Sequence, residues 1–388
     1  MSAAFEQMVA SRRTLVSCGS GGVGKTTTAA VIAIHAARQG RNAVVVTIDP
    51  ARRLANALGL DAIGDQAAVI DNNLWDPHSE REPGGSLSAV MLDAKSTFDE
   101  LVHKYSSDTD QAQRILSNNV YKNLTSALSG TQEYMAMEKL YELHEESEYD
   151  LVVVDTPPSR NALDFLDAPS RLTQFLEGRF FRILTAPARG GMKVVNRATR
   201  GVLKAVGKII GSEVLQDVVD FFAAFEGMYE GFHDRAAKVE ELLHHDGTAF
   251  LLVASPRQDA LLEAEYFAGT LNRMGYPIAG AIVNRLHPRF ADTLAQATRA
   301  RADTFAKRIA EGETSEAVVQ LHDLYANLAS FQEIAQREES HLETLKRLVG
   351  AAPIARVPFI GDDVHDFRTL RLLEDELFEP ADSSTGAD

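Results

Sequence analysis

The feature of this sequence that most constrains its fold is a glycine-rich segment near the amino terminus, GSGGVGKT at Gly19–Thr26. It fits the pattern G-x-x-x-x-G-K-[S/T], in which glycines let the backbone curl so that successive N–H groups face phosphate oxygens. An apolar run, Thr14–Cys18, precedes the loop, and Lys25–Gln39, with Ala and Ile at helical spacing, follows it. A strand, a glycine-rich turn and a helix in this order predict a phosphate-binding loop, with the positive end of the helix at the anion.

The loop and the first helical turn supply the expected contacts with ATP and Mg²⁺. In such loops the lysine, here Lys25, reaches the β- and γ-phosphates, and the following threonine, Thr26, ligates the metal through its hydroxyl. Asp155 ends the apolar run that starts at Leu151, where nucleotide-hydrolysing enzymes place a second Mg²⁺ ligand. The candidate nucleotide contacts of this segment are Gly21, Gly22, Val23, Gly24, Lys25 and Thr26.

Asp49 follows the second predicted strand and allows two interpretations. A carboxylate at this position can orient the attacking water near the γ-phosphate, which would make Asp49 a catalytic residue beside Lys25. It can equally cap a helix predicted over Arg52–Leu58. The spacing alone leaves both interpretations open.

Short runs rich in Val, Ile and Leu alternate with helical patterns, which is typical of a mostly parallel sheet. Together with the unit around the loop, they predict a doubly wound α/β fold of the P-loop NTPase type, with a helical subdomain inserted. The predicted strands are Thr14–Cys18, Ala43–Ile48, Leu87–Leu92, Leu151–Val154, Ala249–Ala254, Ala279–Val283 and Ile354–Val357.

The same pattern predicts how the chain divides. We expect an ATPase core formed by 1–96, 149–169, 246–287 and 350–378. Residues 97–148 and 170–245 are expected to form the helical subdomain, and 288–349 a charged helical insertion poor in strand residues. The last ten residues, 379–388, have the composition of a disordered tail.

Composition narrows the classes of function. A formal net charge of −16 argues against nucleic-acid binding, which requires a basic surface. Cys18 is the sole cysteine, so no disulfide forms within the chain, in keeping with a reducing compartment. The amino terminus has no signal-peptide pattern, and no run approaches the roughly 18 apolar residues of a membrane span. These features predict a cytoplasmic protein.

Several segments, in order, resemble the ATPase family that includes the arsenite-pump subunit ArsA and the ATPases that deliver tail-anchored membrane proteins. The resemblance covers the chain except for the 288–348 insertion and the tail. The matching segments are GSGGVGKTTTAA (19–30), TIDPARRLANALG (47–59), GTQEYMAMEKL (130–140), VVVDTPPSRNALDFLDAP (152–169), FLLVASPRQDALLEAE (250–265) and GAIVNRL (280–286).

The resemblance implies further roles for matched positions. Asp49 matches the aspartate that polarises the attacking water, and Thr27 matches a contact with the α-phosphate. Asn284 matches the asparagine that recognises adenine, and the turn at Val357–Pro358 is expected against the same base. Asp155 begins a segment that reads Asp-Thr-Ala-Pro in most members, so Pro157 is a mild departure.

Ser20 departs from the family more consequentially. Most members carry a lysine there that reaches the nucleotide of the other subunit in a dimer, as an arginine finger does. Since the chain keeps Lys25, Asp49 and Asp155, we expect a heterodimer with a homologous subunit that supplies the lysine. Arg12, Arg13 or Arg160 acting in trans would instead permit a homodimer. A further alternative is an ATP-gated scaffold or regulatory subunit with little hydrolysis of its own.

The sequence does not identify the client, that is, the molecule that the protein binds or moves. It lacks the cysteine sets with which relatives bind metalloid or zinc, and Cys18, in the strand before the loop, is predicted to be a small buried side chain. The region 171–213 is basic and amphipathic. It is either a helical lid with a solvated basic face or a contact with a client protein or membrane surface.

Overall fold

The computed structural model describes residues 2–48, 53–76, 84–119, 121–122, 131–146, 148–157, 162–177, 212–225, 228–290, 293–313, 315–361, 364 and 366–378. Within these residues the centre of the molecule is one eight-stranded sheet with the strand order β3-β4-β2-β5-β1-β6-β7-β8. The strands are β1 Thr14–Cys18, β2 Asn42–Thr47, β3 Ala68–Val69, β4 Ser86–Met91, β5 Leu151–Asp155, β6 Thr248–Ala254, β7 Ile278–Leu286 and β8 Ile354–Pro358.

The strands of the sheet are parallel except for β3, which pairs antiparallel with β4. The three central strands β5, β1 and β6 are buried at every residue, because helices cover both faces. The described helices are α1 Ser2–Ser11, α2 Lys25–Arg38, α3 Arg53–Ala57, α4 Asn72–Trp75, α5 Ala94–Tyr105, α6 Thr109–Ser117, α7 Thr131–Glu145, α8 Ala162–Glu177, α9 Ser212–Phe225, α10 Tyr229–His244, α11 Gln258–Met274, α12 Ala295–Ala310, α13 Glu316–His341, α14 Glu343–Val349 and α15 Phe367–Phe378.

Alternate residues of each strand enter different cores, as the two-residue period of a strand requires. In β1, Leu15 packs with α1, α2 and α15 on one face. Val16 and Cys18 pack with α7, α10, α11 and α14 on the other. A third apolar cluster contains residues of all six helices from α5 through α10 and lies away from the sheet. The fold is therefore the doubly wound α/β fold that the strand pattern predicts.

All seven predicted strands are present, with bounds that differ by up to three residues. The short strand β3 was not predicted, because it has only two residues and both are exposed. The described parts of the two stretches expected to be helical are helical, and α12, α13 and α14 occupy the predicted insertion. The division into domains stays a prediction, and the tail 379–388 lies outside the described residues.

In the part of the chain that the structure describes, no helix combines the length and apolar character needed to span a bilayer.

Candidate functional site

The glycine-rich loop leaves the carboxyl end of β1 and closes at Gly24, the residue before α2. Gly19 approaches β6 so closely that a Cβ atom would lie 2.0 Å from the carbonyl oxygen of Val253. Gly24 has a φ of 96°, in the left-handed region, and a Cβ there would lie 2.7 Å from Asn284 Nδ2. Both positions therefore exclude larger residues, and the loop is fixed against its neighbouring strands.

Lys25 begins α2 and is almost completely buried. Its Nζ donates a hydrogen bond to the carbonyl oxygen of Ser20, 2.9 Å away, and so spans the loop. The first N–H groups of α2 have no partner within the helix, which makes this end suited to phosphate. Thr26 and Thr27 follow in the same turn. The structure thus brings the predicted phosphate contacts together.

Asp155, at the carboxyl end of β5, connects the loop to the adjacent strands. Its Oδ2 accepts hydrogen bonds from Thr26 Oγ1, at 2.7 Å, and from Thr47 Oγ1, at 3.0 Å. Asp155 is fully buried. A carboxylate and a hydroxyl this close offer the hard oxygen ligands that Mg²⁺ prefers, and phosphate and water complete its shell. The residues present fit a magnesium ion bound between Thr26 and Asp155.

Thr47 is a site residue that the sequence analysis missed. It ends β2 directly opposite Asp155 in the parallel register of β2 and β5. Thr156, which follows Asp155 in the chain, donates a hydrogen bond from its Oγ1 to the carbonyl oxygen of Ser17, 2.7 Å away. This bond anchors the segment after β5 to β1. A hydroxyl residue at a strand end is a weak signal alone, and it becomes informative once the strand pairing is known.

Asn284 lies near the end of β7 and contacts the loop. Its Nδ2 donates to the carbonyl oxygen of Val23 at 2.9 Å, while its buried Oδ1 has no hydrogen-bond partner among the described residues. Pro358 ends β8, opposite Leu286 of β7. Asn284 and Pro358 therefore lie at the same edge of the sheet as the loop, and their contact with adenine stays a prediction.

A model of the family described as anion-transporting ATPase matches residues 12–336. The chain belongs to the anion-transporting ATPase family. The match also extends over most of the 288–348 segment, which the sequence analysis placed outside the resemblance.

Among curated relatives of this chain, "ATPase get3" of Aspergillus terreus is 28% identical over 159 residues, 41% of this chain and 43% of the relative. "ATPase GET3" of Malassezia globosa is 30% identical over 158 residues, 41% and 43% of the two chains. "ATPase GET3B" of Arabidopsis thaliana is 24% identical over 304 residues, 73% of this chain and 67% of the relative. The chain thus spans less than half the length of the two fungal relatives.

Some of the predicted site residues are not placed at the loop. Asp49, Arg160 and the greater part of the basic region, 178–211, lie outside the described residues. Arg12 and Arg13 precede β1, so they lie at the amino end of this strand, whereas the loop leaves its carboxyl end. The length of β1 separates them from the loop by roughly 16 Å, at about 3.3 Å per residue. The guanidinium of Arg13 donates to the carbonyl oxygen of His144 at 2.7 Å. This distance is measured within one chain, so action of Arg12 or Arg13 on the nucleotide of a second subunit stays a prediction.

Ser20 and Cys18 flank the start of the loop. Ser20 is 6% exposed, and its hydroxyl has no hydrogen-bond partner within the described part of the chain. Cys18 is buried in β1, and burial raises the pKa of its thiol to about 12 although the charge of Lys25 opposes the shift. Cys18 is an interior side chain, as predicted. No group of three or more His, Cys, Asp or Glu residues is arranged as a metal site among the residues described.

Proposed function

We propose that this chain is a Mg²⁺-dependent ATPase that converts ATP and water to ADP and phosphate. The observation that carries the proposal is the convergence of Lys25, Thr26 and Asp155 at the carboxyl edge of adjacent strands, with Thr26 and Asp155 in direct contact. A phosphate chain on the loop would lie between the cation of Lys25 and a magnesium ion held by Thr26 and Asp155. Membership of an ATPase family supports the same reaction.

The chain's own residues contribute mainly position and charge. Lys25 exchanges its bond with the Ser20 carbonyl for the β- and γ-phosphates, and the N-terminus of α2 holds the same oxygens. Magnesium, when bound, neutralises charge that develops on the phosphates. In the proposed reaction Asp49 accepts a hydrogen bond from the attacking water and orients it toward phosphorus. Asn284 and Pro358 are proposed to hold adenine at the edge of the loop.

The reaction is proposed to take place in a dimer that opens and closes with the nucleotide and moves the helices joined by the third apolar cluster. Because Ser20 stands where a lysine serves the other subunit's nucleotide in relatives, a homologous second subunit is proposed to supply that lysine to this chain's ATP.

The deciding experiment compares ATP hydrolysis by the purified chain alone and with homologous candidate subunits. We expect slow turnover alone and faster turnover with a subunit that carries the lysine. Asp49→Asn should reduce turnover on the order of 100-fold or more and preserve ATP binding. Asp61→Asn, at an exposed carboxylate further along the chain, is the matched control. Full activity of the chain alone would refute the heterodimer, and unchanged turnover in Asp49→Asn would refute the role of Asp49.

A second candidate function is an ATP-gated scaffold or regulatory subunit, which the serine at position 20 favours. Such a protein would bind ATP at the same loop and hydrolyse it negligibly with every tested subunit. Single-turnover hydrolysis with excess protein separates the two functions, because an ATPase converts the bound ATP completely and a scaffold releases it intact.

The region 171–213 is proposed to contact a client protein or an anionic membrane surface under control of the nucleotide. Its basic and amphipathic sequence supports the idea. Flotation with anionic and neutral vesicles, with and without ATP, tests the membrane version. Absence of binding in every condition would remove it.

A further inference from the structure

A cleft of about 340 Å³ lies against the loop on the side of α11. The loop contributes Ser20–Val23, and neither Lys25 nor Thr26 is among the lining residues. The remaining walls come from the start of α11, the carboxyl end of β7 and Glu338 of α13. The cleft therefore shares Gly21, Gly22 and Val23 with the predicted phosphate contacts, while Lys25 and Thr26 lie outside its lining.

Two of the basic side chains in this cleft already have partners. Arg257, at the start of α11, donates to Asp259 at 2.6 Å. The ring of His287 lies 2.7 Å from an oxygen of Glu338, whose second oxygen accepts from the backbone N–H of His287 at 2.8 Å. Arg257 and His287 are therefore each already engaged by a carboxylate.

Arg285 is different. It is exposed, and it makes no hydrogen bond or ion pair with any residue that the structure describes. Its φ of 63° is the one positive value at a non-glycine residue among the described residues. A residue in this conformation is uncommon and costs free energy, and such residues cluster at functional sites. The irregular pairing of β7 with β8 between Val283 and Leu286 accompanies it.

Ser20 provides a second, independent observation. Its hydroxyl is buried at the cleft and lacks a hydrogen-bond partner among the described residues, although buried hydroxyls are normally satisfied. The cleft thus holds an uncommitted guanidinium and an uncommitted hydroxyl beside backbone that is already suited to phosphate. A guanidinium and a hydroxyl donor together fit a phosphate oxygen.

We propose that Arg285, assisted by the Ser20 hydroxyl, binds a phosphate group of the nucleotide held by the second subunit. Arg285 would thereby supply in trans the positive charge that position 20 lacks. The inference rests on the proposed dimer. The group is assigned to the second subunit because Lys25 and Thr26, which hold this chain's own phosphates in the proposed function, do not line the cleft.

With this assignment, each subunit supplies a cation to the nucleotide bound by the other subunit. The second subunit's lysine would act on the ATP bound here, and Arg285 would act on the nucleotide bound there. A guanidinium is suited to the task, because its planar donors engage two phosphate oxygens at once.

The experiment measures association of the full-length chain, alone or with the second subunit, in saturating ATP and in saturating ADP. Arg285→Gln should weaken ATP-dependent association about tenfold or more, with weaker effect in ADP, and lower turnover. Arg273→Gln, at an exposed arginine near the end of α11 that bonds only within its own helix, is the control and should match wild type. Ser20→Lys added to Arg285→Gln should restore association, because it returns a cation to the same cleft.

Three results would overturn the inference. The first is an Arg285→Gln variant that associates and turns over as wild type does, the second is loss of ATP binding by the isolated Arg285→Gln chain, and the third is failure of Ser20→Lys to restore association. A titration of inorganic phosphate into the nucleotide-free chain provides a further arm. Phosphate binding that Arg285→Gln removes, with association unchanged, would show a site for a free anion instead. If wild type neither associates in ATP nor hydrolyses it with any subunit, the proposed function itself has failed.

Discussion

The buried carboxylate of Glu138 joins α7 to α10, and its removal should be costly. Arg235 Nε donates to Glu138 Oε2 at 2.7 Å, with the side chains 11% and 1% exposed. Tyr134, one turn earlier in α7, donates its hydroxyl to the other carboxylate oxygen. The Arg235 guanidinium also lies 3.9 Å from the centre of the Tyr141 ring. Truncation of Glu138 would leave a buried guanidinium without its counter-ion.

The cost follows from that burial. Breaking a buried ion pair by removing one partner typically costs about 3–5 kcal/mol, because the remaining charge is not compensated. A small cavity of about 140 Å³ beside the pair allows water to approach, which favours the lower end of that range. We therefore expect Glu138→Ala to lose about 3 kcal/mol in the free energy of unfolding. At roughly 2 °C for each kcal/mol in a chain of this size, the melting temperature should fall by roughly 6 °C.

The assay is chemical unfolding followed by circular dichroism, with thermal unfolding as a second measurement. Glu333→Ala is the control, because its ion pair with Arg299 also joins two helices, at 3.0 Å, but both side chains are exposed, so its loss should cost far less than that of Glu138. Glu138→Leu combined with Arg235→Met should recover most of the loss, because no charge remains buried. A Glu138→Ala variant within about 1 kcal/mol of wild type would refute the reasoning.

Three further predictions concern the site and its surroundings. Asp155→Asn should weaken Mg²⁺-dependent ATP binding by roughly tenfold or more, since the amide keeps a hydrogen-bond acceptor but loses the charge; equal titrations with and without Mg²⁺ would contradict this. Bonds from Arg356 and Lys346 lower the pKa of Glu339 from 4.5 to about 2, so its stabilisation is present above 4.5 and lost as the pH falls toward 2. The difference in unfolding free energy between wild type and Glu339→Gln should therefore shrink as the pH falls below 4.5, and urea unfolding at several pH values would show a constant difference if this is wrong. Arg285→Gly should relieve a left-handed backbone conformation that costs about 1–2 kcal/mol, while the added glycine costs about 0.5–1 kcal/mol in chain entropy. The unfolding free energy of the variant should therefore equal or slightly exceed that of wild type. A clear loss of unfolding free energy would contradict the strain at Arg285.

The sheet was largely predictable because its strands are short apolar runs bounded by helices, and such runs indicate buried parallel strands wherever they occur. The glycine-rich loop between β1 and α2 was predictable for a related reason, since a fixed pattern of glycines and a lysine encodes its backbone directly. Asp155 could be proposed because it ends an apolar run that indicates a buried strand. Each of these signals is local in sequence.

The features that could not be predicted from the sequence depend on the register between strands and on backbone dihedral angles. Thr47 becomes a site residue only because β2 and β5 pair with Thr47 opposite Asp155. The importance of Arg285 lies in a dihedral angle and an irregular strand pairing, neither of which its neighbours in sequence reveal. The contact of Asn284 with Val23 joins residues 261 positions apart. The resemblance pointed to Asn284, while the residues alone gave no signal.

The burial of Cys18 has a practical consequence for experiments on motion. A thiol whose pKa is raised to about 12 contains almost no thiolate at neutral pH, and the thiolate is the form that reacts with maleimides. Because Cys18 is the one cysteine of the chain, a cysteine introduced on an exposed helix would be the preferred attachment point for a dye or spin label. Pairs of such labels could test the proposed dimer by reporting distances between its subunits in ATP and in ADP, without prior removal of the native thiol.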